Sequence, residues 1–110
     1  MIGGLIVGGN GDAKTRVLVR AIGPSLGTAG VAGALQDPTL QLFDAEGNVV
    51  RENDNWQESQ QAEIEATTIP PNDPAESAII AVLPPGNYTA VVRGNNEGTG
   101  VGLVEVYNVP

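Results

Sequence analysis

The chain has 110 residues, of which 41% are hydrophobic, and this suits a single domain with one modest core. Its 13 acidic and 5 basic residues give a net charge of −8, which excludes a nucleic-acid partner, because phosphate binding requires a basic surface. The sequence contains no Cys and no His, which excludes disulfides, thiol nucleophiles, the usual zinc ligands and the commonest general base. No uninterrupted apolar run reaches the roughly 18 residues that a membrane-spanning helix needs.

Apolar and β-branched runs predict strands along most of the chain, and Gly- and Pro-containing segments separate them. In chain order the runs are 1–9, 15–22, 39–43, 49–52, 77–83, 88–93 and 101–107. Residues 77–83 are almost continuously apolar, which is typical of a strand buried on both faces. Residues 44–48 join two runs, and Gly47 among them predicts a hairpin turn with a positive φ.

Two segments do not have the pattern of strands. Residues 25–35 are small and interrupted by Gly, which predicts a loop with one short helical turn, and residues 60–66 have the composition of one or two helical turns. Many short strands with Gly and Pro turns predict an all-β fold, an antiparallel β-sandwich or jelly roll of about seven strands. We divide the chain into an apolar N-terminal strand, 1–9, and a sandwich domain, 10–110.

The N-terminal run contains four large apolar residues between two Gly-Gly pairs, namely Ile2, Leu5, Ile6 and Val7. Left in water, such a segment would be an aggregation hazard. Two interpretations stay open. The segment is either an edge strand of its own sandwich or a strand donated to a neighbouring copy by β-augmentation, in which case these four residues form a subunit interface.

Oxygen-bearing side chains gather around one predicted hairpin and its exit. The candidate calcium ligands are Asp44, Glu46, Asn48, Asn53, Asp54 and Asn55. Their spacing is not that of an EF-hand loop, and the alternative is that Asp and Asn cap their own backbone in turns. Trp56 follows directly. It is either a stacking platform for a glycan or, as we expect, a packing residue with a hydrogen-bonded indole N–H.

Charged residues inside apolar strands must be paired or reach solvent. Arg20, Arg93 and Glu105 are in this position, and we expect a structural ion pair between Glu105 and one of the two arginines. Catalysis is not expected. The carboxylate pairs that the sequence offers, such as Glu63 with Glu65, would have to flank a cleft, for which a sandwich of this size has little room.

Six stretches follow one another along nearly the whole chain, namely 16–26, 37–40, 53–56, 76–79, 83–90 and 100–107. Together they resemble a repeat module of large secreted and surface proteins of environmental bacteria. The hairpin followed by 53–55 is also similar to the C-terminal jelly-roll domains of secreted bacterial peptidases. These resemblances imply a non-catalytic, extracellular or cell-surface β-sandwich, sometimes stabilised by calcium.

Because modules of that kind occur as tandem copies, we expect the partner of this chain to be a further copy of itself. The expected role is a structural module that assembles into a filament or surface array through strand exchange of the N-terminal run. The alternative is an accessory or adhesion module that binds calcium or a glycan. No other cofactor is expected.

Overall fold

A computed structural model describes residues 2–8 and 14–110 of the chain. Its elements in chain order are β1 (Ile2–Val7), β2 (Thr15–Ile22), α1 (Pro24–Thr28), β3 (Pro38–Phe43), β4 (Val49–Asn53), α2 (Gln61–Ala66), β5 (Ser77–Leu83), β6 (Gly86–Gly94) and β7 (Leu103–Asn108). Short 3₁₀ turns lie at Trp56–Glu58 and Asn95–Glu97. No helix in these two described ranges is long and apolar enough to cross a membrane.

The strands form two antiparallel sheets, in the orders β1-β6-β3-β4 and β5-β2-β7, which confirms the predicted all-β sandwich. Alternate side chains of the facing strands fill the space between the sheets, because successive residues of a strand point to opposite faces. The core includes Val17, Val19, Leu40, Leu42, Ile79 and Val92. Each large aliphatic side chain that is fully buried there contributes about 1.5–3 kcal/mol.

A second, smaller cluster covers the outer face of the three-stranded sheet. Trp56 and Ile64, from the segment between β4 and β5, pack on Leu18 of β2 and Ile80 of β5. Strand β5 is therefore buried on both faces along most of its length, as its continuous apolar sequence predicts. Only Val82 near its end is exposed.

The predicted turns and helical segments are present, with small differences at their ends. Gly47 has a φ of +84° in the turn between β3 and β4, and residues 25–35 contain part of the short helix α1. Strand β7 begins two residues later than predicted. Val101 makes an isolated parallel bridge to Ala34 instead of joining the ladder with β2.

Candidate functional site

Strand β1 forms one edge of the four-stranded sheet and pairs with β6. Ile2 lies opposite Val91 at one end of the ladder, and Val7 lies opposite Gly86 at the other. Along its second edge, β1 meets no strand of the described residues. In the single chain the N-terminal run is thus an edge strand of its own sandwich, and its donation to a neighbour stays a prediction. Residues 1 and 9, the two ends of the predicted segment, lie outside the described residues.

The side chains on the inner face of β1 hold the strand in place. Val7 is buried in the core, and Leu5 packs against the same cluster, opposite Tyr88 of β6. Gly3 shares this face, where a Cβ atom would come within 3.0 Å of the Val104 Cγ1 atom on β7. A side chain at position 3 therefore requires Val104 to move, and the position that β1 occupies favours glycine there.

The outer face of β1 is exposed to solvent. Ile2 and Ile6 are 72% and 82% exposed, and a Cβ atom at Gly4, between them, would meet nothing within 4 Å. The four predicted interface residues therefore divide into two inward anchors, Leu5 and Val7, and two outward residues. Two large apolar side chains on one face of an unpaired edge are the kind of exposed apolar feature that marks an interaction surface.

The side of the sandwich between β1 and β7 is open. Val106 lies on the core-facing side of β7, because it pairs with the core residue Val19 of β2, yet it is partly exposed. A cleft of about 200 Å³ lies here and is lined by Leu5, Ile6, Val7, Gly8, Thr15, Val17, Val106 and Asn108. The inner face of β1 can therefore be reached from solvent along this side.

The edge of β5, in contrast, is covered by side chains that act in place of a neighbouring strand. The Gln60 Nε2 atom donates to the Ile80 carbonyl at 3.0 Å, and the Ile80 N–H donates to Gln60 Oε1 at 2.9 Å. The Ala78 N–H donates to Asn53 Oδ1 at 3.0 Å. These bonds satisfy the groups that another strand would use, so this part of the β5 edge is closed to strand addition.

The edge strand β4 is protected in a different way. It presents the charged residues Arg51 and Glu52, and its register with β3 shifts between Leu42 and Phe43. Charges and bulges on an edge both discourage pairing with another chain. Neither feature occurs along β1, whose sequence is uncharged.

Of the two arginines considered for an ion pair, Arg20 is the one that contacts Glu105. Its Nη2 atom bonds to Glu105 Oε1, its Nε donates to the same oxygen at 3.1 Å, and its Nη1 donates to the Ile69 carbonyl at 3.1 Å. The Arg20 guanidinium also lies over the Tyr107 ring at 5.1 Å. Arg93 is exposed on the outer face of β6, and its Nη1 donates to Gln41 Oε1 at 2.6 Å.

The first group of candidate calcium ligands forms a hairpin turn. Asp44 Oδ1 accepts the backbone N–H groups of Glu46 at 3.0 Å and Asn48 at 2.9 Å, which is the turn-capping alternative. The Asn48 side chain also donates to Asp44 Oδ2. The backbone hydrogen bond from Asn48 lowers the pKa of the Asp44 carboxyl, against a smaller opposing effect of burial.

The second group lies at the other end of β4, so the structure does not bring the six candidate ligands together. Asn53 is occupied by its bond to β5, and Asn55 Nδ2 bonds to the Glu58 carboxylate. Asp54 instead joins Asp37, a residue that the sequence did not single out. In the ranges 2–8 and 14–110, no group of three or more acidic side chains is placed to hold a metal ion.

Asp37 and Asp54 share one hydrogen-bond donor. The Asn95 Nδ2 atom donates to Asp37 Oδ2 at 3.1 Å and to Asp54 Oδ2 at 3.3 Å. The Oδ1 atoms of both carboxylates are buried and have no partner among the described residues. Burial raises the pKa of the Asp54 carboxyl, and the charges of Asp37 and Glu58 raise it further.

Trp56 is a packing residue. It is buried in the cluster on the outer face of the three-stranded sheet, as expected, and is not available as a platform for a glycan. The expectation of a hydrogen-bonded indole was wrong. The Nε1 atom is buried without a partner in the part of the chain that the structure describes, because apolar side chains of the cluster surround the ring.

Glu76 is a structural residue that the sequence reasoning missed. It is 0% exposed, and its Oε2 atom accepts the backbone N–H groups of Gly23 and Ser25, each at 2.9 Å. Its Oε1 atom accepts the Ser25 hydroxyl at 2.7 Å and the Asp73 N–H at 3.2 Å. A lone Glu directly before the apolar run 77–83 was the available signal.

These features define a β-sandwich with one uncharged, unprotected edge strand and several side chains that secure its loops. Comparison of the chain with protein-family models, curated proteins and solved structures found no match.

Proposed function

We propose that this chain is a non-enzymatic, extracellular structural module that assembles with copies of itself by exchanging β1. The observation that carries the proposal is the way β1 is held. It has one neighbouring strand, two inward anchors in Leu5 and Val7, and an uncharged free edge with Ile2 and Ile6 in solvent. The position beside β6 accepts the same strand from another copy with the same contacts.

The contrast with the β5 and β4 edges supports the proposal. Side chains cover part of the β5 edge, and β4 carries charges and a register shift. Natural sandwiches use such devices to prevent pairing between chains, so their absence from one edge is consistent with an edge that is used. The extracellular setting of the proposal is supported by the resemblance to bacterial surface modules.

Single-cysteine chains test strand exchange directly, since the natural sequence has no Cys. Gly4 lies opposite Thr89 across the β1–β6 ladder, and opposed residues of antiparallel strands are close enough for a disulfide. A Gly4→Cys chain and a Thr89→Cys chain, unfolded, mixed and refolded together, are expected to form a mixed disulfide on oxidation. Mixing Gly4→Cys with Gln41→Cys is the control, because β3 does not neighbour β1. Equal yields from both mixtures would count against exchange.

A second candidate function is a cation-binding module, favoured by the two unpartnered carboxylate oxygens of Asp37 and Asp54. Calcium binds such oxygens, and a bound cation would stabilise the folded state by mass action. The test is the melting temperature with and without calcium, for the natural chain and for Asp54→Asn. A rise that only the natural chain shows supports this function, and no rise in either removes it.

A further inference from the structure

Strand β1 is connected to the rest of the chain at the same end of the sandwich where its pairing with β6 finishes. Val7, the last residue of β1, lies opposite Gly86, and Thr15, the first residue of β2, lies opposite Leu83. Only Pro84 and Pro85 separate Leu83 from Gly86 in the sequence. Both ends of the connection between β1 and β2 therefore lie at this end of the molecule, which we call the proline end.

The length of that connection limits where an exchange partner can lie. Residues 8–14 separate Val7 from Thr15, and a fully extended chain spans at most about 3.6 Å per residue, so the connection reaches about 29 Å. The longest extent of the molecule is 44 Å. A copy displaced by one molecular length along that axis would have its own Val7 position out of reach, whereas a copy beside the first, across the 29 Å or 23 Å extent, lies within reach. The two copies must therefore lie side by side, with their proline ends near each other.

This arrangement favours a reciprocal exchange over a row of one-way exchanges. When one copy has placed its β1 on the neighbour, its own β6 edge is empty, and the displaced β1 of the neighbour starts from the adjacent proline end. The placing of this displaced β1 on the empty β6 edge of the first copy is then an intramolecular step, and it uses a connection of the same length. The effective concentration of the displaced strand at that edge is therefore high. Both copies then make the same contact, which is the isologous interface of a two-fold pair.

We infer that β1 is exchanged reciprocally between two copies and that the product is a two-fold symmetric pair rather than an open filament. This inference rests on the proposed exchange of β1 and specifies its partner and geometry. In the pair, Leu5 and Val7 keep their inward contacts, and Ile2 and Ile6 stay on the outside. The reason is that β1 turns the same face inward whether it lies beside its own β6 or beside the β6 of the other copy. A filament or array then requires a further contact between pairs, and these two isoleucines are the most exposed large apolar side chains of the described residues.

The chain with both Gly4→Cys and Thr89→Cys distinguishes the arrangements. After refolding at high protein concentration and oxidation, chains are separated by denaturing electrophoresis without reductant. Reciprocal exchange joins exactly two chains and gives a two-chain band. An open assembly gives a ladder of three or more chains, which would overturn the inference while leaving strand exchange intact.

Two other results would overturn the inference. A band of single chains that carry an internal disulfide means that each β1 stays on its own β6, and this overturns both the inference and the proposed exchange. Chains without any disulfide overturn the inference and the proposed exchange as well. In that case β1 would pair neither with its own β6 nor with the β6 of another copy. The chain with Gly4→Cys and Gln41→Cys is the matched control and is expected to give no specific two-chain band, because β3 is not adjacent to β1.

Discussion

Gly3 on β1 lies directly against Val104 on β7, so closely that a Cβ atom on Gly3 would come within 3.0 Å of the Val104 Cγ1 atom. The two strands belong to different sheets, and this contact is where the edge of one sheet meets the edge of the other. It also favours the observed register of β1. A shift by two residues would place Leu5 at this position, where its side chain would require Val104 to move.

The first prediction uses the two neighbouring glycines of β1. Gly3→Val is expected to displace β1 from β6 and to lower the free energy of unfolding by about 2–4 kcal/mol, since Leu5 and Val7 lose their burial. Gly4→Val is the control, because that position faces open space, and its effect should stay within about 0.5 kcal/mol. Urea unfolding measures both, and hydrogen exchange reports whether β6 amides lose protection. Equal effects of the two substitutions would contradict the register argument.

The second prediction compares two arginines on β2. Glu105→Ala is expected to cost about 1–3 kcal/mol, since the partly buried guanidinium of Arg20 loses its carboxylate partner. Glu63→Ala is the control and removes the 3.9 Å contact between Glu63 and Arg16. The side chain of Arg16 is 34% exposed and that of Glu63 is 56% exposed, so the loss should be less than about 1 kcal/mol. Chemical denaturation of both variants is the measurement. A cost below about 1 kcal/mol for Glu105→Ala, no larger than that of the exposed pair, would contradict a stabilising role of the Arg20 network.

The third prediction concerns the buried carboxylate of Glu76. Glu76→Gln introduces an NH₂ group opposite backbone N–H donors of residues 23 and 25 or of residue 73, so at least one buried donor loses its acceptor. The expected loss is about 1–3 kcal/mol of stability. Glu65→Gln on the exposed face of α2 is the matched control, and it should be neutral. Thermal unfolding of the three chains gives the comparison, and a neutral Glu76→Gln would refute the role assigned to the carboxylate.

The fourth prediction is a pH dependence with opposite signs at two aspartates. The pKa of Asp54 is raised in the folded state, so the folded chain binds this proton more tightly than the unfolded chain does. Its contribution to stability is present below the ordinary value of 3.8 and is lost as the pH rises through the folded pKa. The change in the free energy of unfolding caused by Asp54→Asn is therefore expected to be more favourable to the folded state at pH 7 than at pH 3.5.

Asp44 provides the opposite case. Its pKa is lowered, so its contribution is present above 3.8 and is lost as the pH falls through the folded pKa. The loss of stability on Asp44→Asn should be larger at pH 7 than in acid. Urea unfolding of both variants between about pH 3 and 7 checks the two signs. The same direction for both substitutions would contradict the environments described for the two carboxyl groups.

Local pattern was sufficient for most of the fold. The runs 15–22 and 77–83 were predicted with the boundaries that β2 and β5 have, because β-branched residues and flanking Gly or Pro act within a few positions. The hairpin at residues 44–48 depends on Gly47 and on the Asp44 side chain, both of which are local. The strand order was beyond this reasoning, since it depends on pairings between residues far apart in the sequence.

The sites were predictable only in part, for the same reason. That Arg20 and Glu105 need partners follows from their apolar neighbours, but the choice of Arg20 over Arg93 depends on β7 lying beside β2. The calcium candidates are close in sequence, yet β4 separates them into two groups. Asp54 is instead next to Asp37 and Asn95, because three loops meet at one end of the sandwich.

The amino-acid sequence by itself determined that this is an acidic, all-β chain with an apolar N-terminal strand, because composition and period-two patterning act locally. Only the tertiary structure decided which residues of that strand are anchors and which are exposed, since the face of an edge strand is set by the register with its neighbour. It also decided that Glu76 is buried and satisfied, because three of its four hydrogen-bond donors lie about fifty residues away in the sequence.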